Sequence, residues 1–186
     1  MGWEHVHGPA RAVMYELLSS QDAAMAKSLH DEGWRGQPLK PLGLTAPQFK
    51  GAPKKRGVYT TSRDGSVWLG SPVPEIAAVL VSALASRTEI VWGPARLKVR
   101  GFTVDVGASA PDGPVEMETA TPVVVLPAPS GLRVLEAGPR RRFTVRGAPR
   151  IGAQVRVAME ADPRFVEALR SWGLGLDTLQ GFGWIR

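Results

Sequence analysis

The chain has 186 residues, 44% of them hydrophobic and none of them cysteine, and 23 Lys and Arg against 17 Asp and Glu leave a net charge of +6. This composition excludes wholesale disorder, disulfide scaffolds and thiolate metal sites, and no run of about 18 apolar residues is present to span a membrane. It allows one ordinary domain or two small modules, suits a reducing cytoplasm, and favours a polyanionic partner.

Taken in order, Pro9 opens a helix over Ala10 to Ser19, with Ala10, Val13, Met14 and Leu17 on one apolar face. Ser20-Gln21-Asp22 breaks it, Ala23 to Asp31 is a second helix, and Gly33 stops it. Residues 33–57 read as irregular, with Leu42-Gly43-Leu44 and Gln48-Phe49-Lys50 as short strand pieces. Asp64-Gly65 between Val58-Tyr59-Thr60-Thr61 and Ser66-Val67-Trp68-Leu69 predicts a β-hairpin. Ile76, Val79-Leu80 and Ala83-Leu84 mark a helix over 75–85. Strand-like sequence then runs from Glu89 to Val106, turning at Gly93-Pro94.

Ala108 to Val115 reads as a Pro/Gly loop. Strands are expected at Val123 to Val125, Leu132 to Leu135, Phe143 to Arg146 and Ala153 to Met159. Asp162 caps and Pro163 opens a last helix, whose expected apolar face is Phe165, Leu169 and Trp172. Then come two glycine pairs, Gly173 with Gly175 and Gly181 with Gly183, and a short final strand at Phe182, Trp184 and Ile185. The fold class is α+β. The first half, 1–110, approximates a ferredoxin-like β-α-β-β-α-β order with its opening strand short or absent. The second, 111–186, reads as a reduced copy, so the expectation is two tandem ferredoxin-like (RRM-like) modules.

Two basic clusters stand out as binders of a polyanion: Lys54, Lys55 and Arg56, and Arg140, Arg141 and Arg142 with Arg146, Arg150 and Arg156 beyond. Of three histidines, His30 ends a helix beside Asp31 and Glu32, while His5 and His7 lack a third ligand for a metal. Tyr15 lies on the first helix and Lys40 follows His30 in Leu39-Lys40-Pro41-Leu42. Spacing alone does not join these three. The six tryptophans are expected in the core rather than as platforms for bases.

The arrangement Gly-Leu-Gly, five residues, Gly-Phe-Gly near the end of the chain resembles the signature of the Cas six family of CRISPR-associated endoribonucleases, which cut precursor CRISPR RNA within its repeats. Met14-Tyr15-Glu16-Leu17-Leu18, Lys27-Ser28-Leu29-His30, Ser71-Pro72 and Thr121-Pro122-Val123-Val124 are also similar to that family. The resemblance runs from about residue 9 to 186. It implies tandem ferredoxin-like modules and metal-independent cleavage with no cofactor, in which the RNA 2′-hydroxyl is the nucleophile. By the same resemblance His30 transfers protons, Tyr15 assists and Lys40, or Lys50 in its place, neutralises charge at the phosphate. Gly173, Gly175, Gly181 and Gly183 lie against RNA, whose repeats, with proteins of a CRISPR effector complex, are the implied partners. Two readings stay beside it: a subunit of the same fold that binds repeat RNA without cutting, and a protein-interaction subunit. Three features depart from the family pattern. Only eight residues precede Pro9, where a full strand is usual; the chain is short, with its second module trimmed; and the glycine loop carries Asp177 rather than a basic residue.

Overall fold

The structure, a computed structural model, describes residues 1–106, 110, 113–124, 131–175 and 177–185. A single 3₁₀ turn at Trp3–His5 precedes helix α1, Ala10–Ser19. Helix α2 is Ala23–Asp31, and Asp22 caps it by accepting from the Met25 N–H at 2.8 Å. Ala10, Val13, Met14 and Leu17 of α1 are all buried, as their spacing requires. Helix α3, Pro74–Ala85, buries Ile76, Leu80 and Ala83 against the same cluster.

Between α2 and α3 the chain forms four two-residue strands: β1 Gly43–Leu44, β2 Gln48–Phe49, β3 Gly65–Ser66 and β4 Leu69–Gly70. The expected hairpin of 58–61 with 66–69 does not form. Instead β4 pairs with β1 and β3 with β2, all antiparallel. The reason lies at the presumptive turn. Gly65 has no positive φ, so Asp64-Gly65 is not a hairpin turn, and Gly65 stands in a strand covered by the Phe49 ring. A Cβ on Gly65 would come within 2.6 Å of that ring.

Strands β5 Glu89–Trp92 and β6 Ala95–Lys98 pair around Gly93-Pro94. The expected strand stops at 98; Phe102, Val104 and Val106 are exposed and in no regular element. The remaining strands are β7 Val115–Glu118, β8 Val123–Val124, β9 Leu132–Ala137, β10 Arg141–Val145, β11 Ala148–Ala153 and β12 Val155–Met159. They make two three-stranded antiparallel sheets, ordered β10-β11-β8 and β7-β12-β9. Half of the expected loop at 108–115, and Val125, lie outside the described residues. The α+β class stands as helices with small antiparallel sheets.

Helix α4, Pro163–Trp172, begins at Asp162 and Pro163 as the sequence indicates. Its buried face, however, is Val166 and Leu169, whereas Phe165 is exposed. Val166 and Leu169 pack in one cluster with Val115, Met117 and Val157, and the helix end sits against the first half of the chain, with the Trp172 carbonyl oxygen 2.4 Å from where a Cβ on Gly43 of β1 would stand. No full strand forms near the C-terminus; Ile185 makes one bridge to Thr119, and the Trp184 N–H donates to the Thr121 hydroxyl at 2.8 Å.

Three apolar clusters result. The first surrounds α1, α2 and α3; the second holds Val115, Met117, Val157 and Val166; the third holds Val124, Phe143 and Val145. Leu179 belongs to the first, Ile185 to the second and Phe182 to the third. Among the described residues, no helix is long and apolar enough to cross a membrane.

Candidate functional site

Leu29 buries itself at the foot of α1, and the next residue round the helix, His30, therefore faces out, with its side chain about half exposed. The His30 Nδ1 lies 3.0 Å from an Asp31 carboxylate oxygen. A carboxylate only accepts, so Nδ1 carries the hydrogen in this contact and Nε2 is the ring nitrogen not engaged by Asp31. Hydrogen bonds from His30 and from Lys27 hold the Asp31 carboxyl below the usual carboxylate range.

Tyr15 of α1 is half-buried beside it. The two rings meet edge-on, centroids 5.1 Å apart at 69°, and the Tyr15 hydroxyl points at the Leu29 carbonyl, 3.4 Å away. Burial pushes the Tyr15 pKa up, against the nearby charges of Arg11 and Arg146. At neutral pH the phenol thus keeps its proton. Lys40 completes the group from the segment after α2: its ammonium donates to the Leu29 carbonyl at 2.9 Å and to the His30 carbonyl. These are last-turn carbonyls without partners inside the helix, so Lys40 caps α2 and fixes its penultimate residue, His30. Burial, and then the like charge of Arg11, hold the Lys40 ammonium below its ordinary value. The fold thus joins His30, Tyr15 and Lys40; Lys50 is exposed in the segment after β2, and of the two lysines Lys40 is the one bonded at His30.

Sequence reasoning missed Arg11. It lies one helical turn before Tyr15, with its guanidinium carbon 5.5 Å from the centre of the tyrosine ring. The signal was available, since residues four apart share a helix face. The second half contributes Arg146, at the tip of the hairpin joining β10 to β11. Arg146 and Gly147 have φ of 51° and 77°, the pattern of a tight two-residue turn that follows strand twist.

The two basic clusters converge elsewhere. The Trp3 N–H donates to the Gly57 carbonyl at 3.1 Å, which ties the segment of Lys54, Lys55 and Arg56 to the N-terminal turn. Trp3 packs against Tyr59 with the rings tilted at 43° and their centroids 5.0 Å apart, and the Arg141 guanidinium lies 5.2 Å over the Trp3 ring. A cleft of about 220 Å³ opens there, lined by Trp3, His7, Tyr59, Thr121, Arg141 and Gln154. Arg140 and Arg142 are exposed alongside. Among the described residues no carboxylate pairs with Lys54, Lys55, Arg56, Arg140, Arg141, Arg142 or Arg146. Arg150 and Arg156 differ: they bind Asp177 at 2.7 Å and Glu116 at 2.9 Å. The acid in the glycine loop is thereby neutralised from β11.

The loop itself is turned inward. Gly173, Gly181 and Gly183 are buried and Gly175 is half-buried. A Cβ on Gly183 would stand 1.8 Å from the Leu174 carbonyl oxygen, and one on Gly181 would stand 2.9 Å from His7 Nδ1. The close approaches at these glycines are thus to protein backbone and side chain. His7 is a core residue: Nδ1 donates to the Gln180 carbonyl at 3.0 Å and the ring stacks on Phe182 at 4.1 Å. His5 is exposed beside Glu4, so the two do not share a site. Among the described residues no group of three His, Cys, Asp or Glu is placed to hold a metal ion.

No protein-family model and no curated protein matches this chain. Solved structures do. A Cas6-related protein from Pyrococcus furiosus superposes with a TM-score of 0.77 over 97% of this chain and 89% of its own, at 12% identity. A CRISPR-associated protein Cas6 gives 0.70 over 100% and 92%, at 16% identity. A RAMP protein that binds different RNA substrates gives 0.70 over 98% and 91%, at 13% identity. At these identities the likeness is one of fold, and over nearly its whole length this chain has the fold of Cas6 and Cas6-related proteins.

Proposed function

We propose that this protein is a metal-independent endoribonuclease that binds CRISPR repeat RNA and cuts it with the RNA's own 2′-hydroxyl. The observation that carries the reading is the meeting of His30, Tyr15 and Lys40 at the exposed end of α2, in a fold shared with Cas6 proteins. In the reaction the 2′-hydroxyl loses a proton, its oxygen attacks phosphorus, the P–O5′ bond breaks and O5′ gains a proton. His30 Nε2, the ring nitrogen not engaged by Asp31, is the proton-transfer group. The protonated Tyr15 hydroxyl assists, and Lys40 holds the end of α2 in place. The upstream product ends in a 2′,3′-cyclic phosphate and the downstream one in a 5′-hydroxyl. The architecture is read as two ferredoxin-like modules, 1–110 and 111–186, the second reduced. The RNA path is read along Lys54, Lys55, Arg56 and Arg140, Arg141, Arg142, with Arg146 nearer the site.

A second reading has one specific support. Two of the three Lys40 donors are committed to carbonyls, which suits a subunit of the same fold that holds RNA without cutting it. Incubation with repeat RNA decides between them. Cleavage should persist with chelator, should stop when the 2′-hydroxyl at the cut is removed, and should slow by about 10²–10⁴-fold in His30→Ala with affinity retained. Cleavage of the 2′-deoxy substrate would defeat the mechanism. Tight binding without any cleavage would establish the second reading.

A further inference from the structure

Arg11 is the least explained polar side chain near the site. Its Nε is buried and has no hydrogen-bond partner. Buried donors are nearly always satisfied, and an unsatisfied one marks a place where a partner is missing. Its guanidinium lies over the Tyr15 ring, which itself touches the His30 ring. No carboxylate pairs with Arg11 among the described residues. Two further cations stand around it: Lys40 feels its field, and Arg146, in the turn between β10 and β11 with φ of 51°, acts with Arg11 on the Tyr15 hydroxyl. Asp31 is the acid there, and it is already held by His30 and Lys27. Three cations brought together with one acid, itself already bonded to other partners, make an anion site.

The anion this site fits is a phosphodiester. A guanidinium presents a planar fork that matches two phosphate oxygens, and cleavage adds charge to those oxygens as phosphorus becomes pentacoordinate. Lys40 is less suited to that task, because two of its three N–H groups are spent on the end of α2. We propose that Arg11 from the first half and Arg146 from the second clamp one phosphodiester over Tyr15 and His30, and that Lys40 is a positioning residue for His30. The clamp rests on the reading of this site as one that binds RNA. Its consequence is specific: the reactive phosphate is gripped from both halves of the chain, so their relative placement sets the alignment of the cut.

The test uses the full chain and a set of repeat RNAs, each with one phosphodiester replaced by a neutral methylphosphonate. One replacement should weaken binding to the wild type by about tenfold or more and leave Arg11→Gln and Arg146→Gln unaffected. In natural RNA the same two variants should cut about 10²-fold more slowly. Arg11→Lys, which keeps the charge and loses the fork, should recover only part of the rate. Lys40→Met should slow cleavage and couple to no linkage, while Lys40→Arg, able to donate to both carbonyls, should restore the rate. If no linkage couples to Arg11 or Arg146, or if the coupled lysine is Lys40, the assignment is overturned. Coupling without any cleavage would retain the clamp and remove the nuclease reading. Absence of RNA affinity in the wild type would remove both.

Discussion

His7 is one of three histidines, and only the structure distinguishes its role. Enclosed by Phe143 and Phe182, with Nδ1 bonded to the Gln180 carbonyl, it is 3% exposed. Desolvation lowers its pKa from 6.5 to about 4, against the smaller opposing effect of the Gln180 hydrogen bond. The sign follows from proton uptake. Below pH 6.5 the unfolded chain protonates this ring, whereas the folded chain does so only near pH 4. The neutral ring's contribution is therefore complete above pH 6.5 and is lost as pH falls toward 4, by up to about 3 kcal/mol. Urea unfolding at a series of pH values should show that loss, and His7→Phe, which keeps a ring in the stack, should show less of it. Equal pH slopes in both proteins would mean that His7 is accessible to protons in the fold. Nothing in Val6-His7-Gly8 signals this burial, because the enclosing residues lie far along the chain.

At the scale of elements, local pattern was enough wherever the chain's own neighbours decide. Helices α1 and α2 have the limits that capping and apolar spacing indicate, and Asp162 and Pro163 begin α4. Pattern failed where distant parts compete. Asp64-Gly65 carries a turn signal, yet Gly65 lies under Phe49 and pairs with β2. Phe165 fits the stripe of α4, yet Val166 is the residue that meets the second cluster. The glycine loop was legible as turned backbone, and the structure gives its glycines unequal burdens. Gly183 has φ of 69° with the Leu174 carbonyl in the path of any Cβ, whereas Gly147 has φ of 77° with open space around it. Gly147→Ala should cost only the backbone term, about 1–2 kcal/mol. Gly183→Ala adds a collision with main chain and should cost on the order of 3–4 kcal/mol. Denaturant midpoints compare the two directly, and equal losses would show that the loop relaxes around the added methyl.

At the scale of the whole molecule, the site residues were legible as types and not as a place. Tyr15, His30 and Lys40 were joined by likeness to a family, while their contacts come from packing α1 on α2 and folding Lys40 back on the helix end. The sequence also counted Arg150 and Arg156 with the free cations, since ion pairs to Asp177 and Glu116 form only across strands and loop. The arginines without a carboxylate partner among the described residues remain the better candidates for RNA. Neutralising Arg140, Arg141 and Arg142 together should reduce the slope of log affinity against log salt by about 2 on single-stranded repeat RNA. An unchanged slope would move the RNA to the Lys54, Lys55 and Arg56 side. Larger still in reach is the spacing of Leu179, Phe182 and Ile185, three residues apart and each in a different apolar cluster. A segment this short cannot detach from one cluster and stay seated in the other two. The clusters are therefore expected to share one cooperative transition, so that a thermal unfolding trace shows both halves of the chain melting together; two separate transitions would show that the segment does not couple them. A defect deep in either half is felt as lost stability in the other.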